Sequence, residues 1–77
     1  MPEQLIPVKG TAAPSVSRML GKAGLSNFSV QNLYGHVGVQ TPYPGRMAAV
    51  LKKLNYQFEI KGTKPNVMFH IYGRYVT

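Results

Sequence analysis

From Ser15 onward the apolar residues switch between two periods. Val16, Met19, Leu20 and Ala23 recur at the spacing that gathers them on one face of a helix, with Ser15 as its N-cap after Pro14 and Gly24 closing its last turn in the left-handed conformation. Phe28 and Val30 then alternate with Ser29 and Gln31, the period of a half-buried strand. Asn32 to Gly35 supplies a turn, and Val37 and Val39 carry the returning strand. At Thr41-Pro42-Tyr43-Pro44-Gly45 the strand must stop, because proline has no N–H for the ladder, and its fixed φ suits the opening of a helix. Met47, Val50, Leu51 and Leu54 form a second helical stripe, capped by Asn55. Phe58 and Ile60 alternate with Gln57, Glu59 and Lys61, Gly62 to Asn66 reads as a second hairpin loop, and Val67, Phe69 and Ile71 make a last strand running toward Tyr75.

The two halves match position by position. Val16 corresponds to Met47, Met19 to Val50, Leu20 to Leu51, Ala23 to Leu54 and Gly24 to Asn55, and the strands follow with Phe28 and Phe58, Val30 and Ile60, Val37 and Val67, Val39 and Phe69. The expected fold is therefore α+β: two αββ repeats over residues 15–77, forming a four-stranded antiparallel sheet with both helices on one face, a circular permutation of the ferredoxin-like fold. Residues 1–14, with Pro2, Pro7, Gly10 and Pro14, read as an N-terminal arm in which Leu5, Ile6 and Val8 are able to dock as a short edge strand.

If Val37, Val39, Val67, Phe69 and Ile71 face the helices, alternation sends His36, Gly38, Gln40, Met68, His70, Tyr72 and Arg74 to the open face, joined by Gln31 and Lys61. There His70 and Tyr72 are placed to stack on bases and Lys61 and Arg74 to meet phosphates, as on the open sheets of RNA-recognition modules. The competing reading is an ordinary solvated sheet or a dimer interface, since Gly73-Arg74-Tyr75-Val76 lacks the aromatic spacing of the RNA-recognition strand motif.

The charge is strongly one-sided. Nine Lys and Arg stand against two acids in 77 residues, Asp is absent, and the acids are Glu3 and Glu59. Arg18 and Lys22 lie one turn apart on the first helix, and Arg46, Lys52 and Lys53 decorate the second away from its apolar stripe, a surface suited to phosphates. Lysines at a helix C-terminus also favour the helix dipole and solubility, yet solubility alone does not call for so few acids. The chain is too short for a second domain or a deep catalytic cavity, and without Cys it has neither disulfides nor thiolate ligands.

Carboxylate-pair chemistry would need Glu3 to meet Glu59, a serine triad lacks its Asp, and His36 with His70 makes a poor metal site. No enzyme, cofactor or metal is expected. Gly21-Lys22-Ala23-Gly24 matches the spacing of a KH-type phosphate loop, but the strand expected after it favours a helix end instead. The longest apolar run, Met47 to Leu51, is far from membrane-spanning length, and Glu3 sits where a signal peptide carries positive charge, so a cytoplasmic protein is expected.

The stretch from Ser15 to Ile60, with Arg18-Met19-Leu20-Gly21-Lys22-Ala23-Gly24-Leu25 and the run Met47 to Phe58, resembles short accessory proteins encoded by bacteriophages, especially those of actinobacteria. That resemblance implies no catalytic residues. It implies a host-directed or regulatory binding role in the host cytoplasm. Three partners thus remain in view: nucleic acid, a host protein, or a further copy of the chain through its sheet edges or open face.

Overall fold

The two periods fold into an α+β domain with one strand more than they announce. The computed structural model describes residues 4–63 and 67–76. Over them the chain runs β1 (Gln4–Pro7), α1 (Ala13–Lys22), β2 (Ser29–Leu33), β3 (His36–Gln40), α2 (Pro44–Lys53), β4 (Tyr56–Lys61) and β5 (Met68–Val76). Every pairing is antiparallel, and β5 is the spine of the sheet. β4 follows one of its edges. The other edge is shared end to end by β3, opposite Met68–Ile71, and by β1, opposite Gly73–Val76, while β2 closes the outside of β3.

The expected four-stranded sheet is therefore five-stranded, and the arm contributes the extra strand. β5 runs past the end of β3, and its backbone groups from Gly73 onward would stay unpaired on that edge without β1. The pairing continues into the loop, where Val8 N–H donates to the Tyr72 carbonyl at 2.8 Å and the Val8 side chain enters the core. The second hairpin loop falls partly on residues 64–66, outside the described residues.

Local sequence signals set the helix ends, with one exception. At the end of α1, Leu25 N–H donates to the Leu20 carbonyl at 3.2 Å and Gly24 N–H to that of Gly21 at 3.0 Å, with Gly24 at φ +91°. This Schellman closure draws Leu25 onto the core. Asn55, at φ +65°, closes α2 in the same left-handed way, donating to the Lys52 carbonyl at 3.0 Å. Thr41 Oγ1 accepts from Tyr43 N–H at 3.1 Å and shapes the entry to α2. The exception is Ser15, which is no N-cap. Helix α1 starts at Ala13, with Pro14 in its first turn, and its orphan Ala13 N–H is taken by Asn32 Oδ1 of β2 at 2.9 Å.

One apolar cluster joins the layers. Val16 and Leu20 of α1 and Met47 and Leu51 of α2 pack with Val37 and Val39 of β3 and Phe69 and Ile71 of β5. Leu20, Leu51, Phe69 and Ile71 are wholly buried, each stabilising the fold by about 1.5–3 kcal/mol. Since α1 lies against β2 and β3 and α2 against β4, the helices take one sheet face and leave the other uncovered. Ala23, expected on the apolar stripe, is exposed just past the last turn. Among the described residues no helix is long and apolar enough to cross a membrane.

Candidate nucleic-acid interface

Two surfaces gather the candidate residues, on opposite sides of the sheet. On the helical side, Arg18 and Lys22 of α1 and Arg46, Lys52 and Lys53 of α2 are all exposed. Neither helix contains an acid. Among the described residues the only ion pair lies elsewhere, Lys61 Nζ to Glu59 Oε2 at 3.8 Å on β4, with both side chains largely exposed. The five helical cations thus face solvent with no carboxylate of the described residues beside them.

Helix stability explains only part of this layout. Lys22, Lys52 and Lys53 stand in last turns, where the carbonyl end of the dipole favours cations. Arg46 stands in the first turn of α2, where the dipole favours acids, and its guanidinium lies 5.8 Å from the centre of the Tyr43 ring. A positive side chain at the positive end of a helix opposes folding slightly and strengthens the local field toward an anion.

On the open sheet face, cross-strand pairing builds rows. Gln31, Gly38, His70 and Glu59 form one row across β2, β3, β5 and β4, and Ser29, Gln40, Met68 and Lys61 form the next. His36 is drawn into the same patch: its Nε2 lies 2.8 Å from His70 Nδ1, its Nδ1 lies 2.8 Å from the Tyr34 carbonyl, and its ring centre is 4.8 Å from that of Tyr72. His70 is held below the usual imidazole range, first by desolvation, then by His36 and Lys61, with Glu59 pulling the other way. Lys61, His70 and Tyr72 thus share this face, as alternation requires. Among the described residues no group of three metal-ligating side chains forms around them.

Arg74 does not join them. Opposite β4, Gln57 pairs with Gly73 but Phe58 pairs with Ile71, so Tyr72 is an extra residue and β5 bulges there. The bulge shifts the alternation by one, and Arg74 falls on the helix side. Its Nε–H donates to the Leu54 carbonyl at the end of α2 at 3.0 Å, and its guanidinium lies 5.8 Å from the centre of the Tyr56 ring. Burial holds the Tyr56 phenol above its usual range, against the opposing pull of Arg74. The expected placement of Arg74 beside Tyr72 and His70 is therefore corrected: it caps a helix instead. A groove of about 470 Å³ opens beside it, lined by Ile6, Val8, Val16 and Tyr56.

Two leucines that the periods left aside complete the open face. Gly38 and Gly73 have no side chains there, and a Cβ at either would stand 2.7 Å from a leucine Cδ1, of Leu33 and Leu5 respectively. In the sequence Leu5 belongs to the arm and Leu33 to the turn Asn32 to Gly35, and neither was expected on this face. No protein-family model, curated protein or solved structure matches this chain, so both surfaces are read from their own residues.

Proposed function

We propose that the protein is a non-catalytic nucleic-acid-binding module that grips phosphates with its helical layer. The observation that carries this reading is the set Arg18, Lys22, Arg46, Lys52 and Lys53, exposed on two acid-free helices and, among the described residues, with no carboxylate beside any of them. A surface tuned for solubility mixes both signs, and one tuned for helix stability would not place Arg46 in a first turn. A regular run of phosphates is the polyanion that answers charges spread over two helices on one face of the sheet. The αββ order, repeated with β3 and β5 at the centre, also accords with a permuted ferredoxin-like arrangement.

Binding of a labelled duplex at increasing salt tests the reading. Five phosphate contacts give a slope of log K against log salt of about −4.5, and each Lys→Ala or Arg→Ala substitution in the set makes it shallower by about 0.9. An affinity that ignores salt, or that survives replacement of all five, would sink it.

A further inference from the structure

The open face offers what a flat ligand needs. The rings of His36, His70 and Tyr72 stand with centres 4.8, 5.1 and 6.4 Å apart and planes within 35° of one another, all half-buried. Leu33 and Met68 close over Gly38 on one side, Met68 Sδ standing 3.1 Å from where a Cβ there would be, and Leu5 covers Gly73 on the other. Around this floor Gln31, Gln40, Gln57, Glu59 and Lys61 are exposed, so polar groups border the rings.

The hydrogen bonds also fix where protons sit. The Tyr34 carbonyl can only accept, so His36 Nδ1–H donates to it. His36 Nε2 and His70 Nδ1 share one hydrogen between them, so His70 Nε2 is the ring nitrogen left outside the pair. Among the described residues the charged groups facing His70 are Lys61 and Glu59 of β4, with His36 from β3; Tyr72 shares its own strand, and the β2 residues on this face, Ser29, Gln31 and Leu33, are uncharged.

We propose that the His36–His70–Tyr72 cluster is a stacking site for an unpaired nucleobase, with Lys61 and the protonated His70 meeting the adjoining phosphate. This rests on the nucleic-acid reading above and adds the form of the ligand, which is single-stranded. Paired bases hide their faces in the helical stack, whereas an unpaired base exposes a π surface that tyrosine and imidazole rings can cover. A phosphate beside His70 favours its protonated form, so binding takes up a proton and tightens as pH falls.

The experiment follows the fluorescence anisotropy of a labelled oligouridine of about ten nucleotides, a length a small sheet can track, beside a labelled RNA duplex. Tyr72→Leu, which keeps the apolar bulk on β5, weakens oligouridine binding about tenfold to a hundredfold and leaves duplex binding unchanged, while Tyr72→Phe binds like the parent. His70→Gln weakens the tightening between pH 7.5 and 5.5. If Tyr72→Leu binds oligouridine as the parent does, while the helical substitutions still abolish duplex binding, the stacking site is wrong and the nucleic-acid reading stands. If the parent binds neither probe, both fall.

Discussion

The side-chain carbonyl of Asn32, on β2, accepts a hydrogen bond of 2.9 Å from the backbone N–H of Ala13, the first residue of α1. A strand thereby caps a helix that begins nineteen residues earlier and whose own N-cap, Ala12, offers no side-chain acceptor. Asn32→Ala leaves that N–H without a protein partner and lowers stability by about 1 kcal/mol. Asn32→Asp keeps the acceptor and adds a negative charge at the positive end of α1, so it matches or exceeds the parent. Thermal unfolding checks both, and for a domain this small 1 kcal/mol moves Tm by about 4–8 °C. An alanine variant with unchanged Tm would remove the cap from the account.

Two glycines should respond to alanine with opposite signs. A Cβ on Gly10 would run into the carbonyl oxygen of Leu33 and stand 3.0 Å from Gly35 N, backbone atoms of the β2–β3 turn that cannot swing aside. Gly10→Ala therefore costs about 1–3 kcal/mol. Gly21 lies inside α1 with nothing within 4 Å of its missing Cβ, and Gly21→Ala stabilises by about 0.5–1 kcal/mol through helix propensity. Chemical denaturation of the two variants side by side reads the contrast. A neutral Gly10→Ala would mean that the loop after β1 does not press on the turn.

Arg74 is expected to matter for folding and not for binding. Its hydrogen bond answers one of the carbonyls that the end of α2 leaves unpaired, and its charge suits that end of the dipole. Arg74→Met lowers stability by about 1–2 kcal/mol, whereas the salt slope of nucleic-acid binding stays at the parent value. A shallower slope in the folded variant would return Arg74 to the binding surface.

Acid should weaken the free fold while it strengthens the complex. His70 holds its proton less tightly in the fold than at its ordinary value of 6.5, first because burial disfavours the charged ring. As pH falls through about 6.5 the unfolded chain therefore takes up the proton first, and stability drops until the folded His70 also titrates; above that window its contribution is flat. Denaturation midpoints measured from pH 8 to 5 follow this fall, and His70→Gln flattens the part due to His70. A parent that gains stability on acidification over that window would contradict the sign.

Whatever depends on neighbours along the chain is legible in the order of residues. Leu20 and Leu51 repeat at helical spacing and Phe69 and Ile71 at strand spacing, so both helices, four strands and most of the core could be read from periodicity alone. Gly24 and Asn55 announced the helix ends because a left-handed residue is a local requirement. For the same reason His70, Tyr72 and Lys61 could be assigned to one face, each standing one step from a residue of the buried face or of its expected stripe.

Features that join residues distant in sequence emerge only when the sheet assembles. The segment Gln4–Pro7 becomes a strand because β5 outruns β3, a mismatch of lengths that only assembly of the sheet exposes. The extra residue at Tyr72 exists only in register with β4, and it sends Arg74 from the open face to the end of α2. The contact between His36 and His70 arises because the sheet sets β3 against β5, thirty-four residues later. Periodicity tells which side of its own strand a residue occupies; which partner it meets there is settled by register, and register is a property of the assembled sheet.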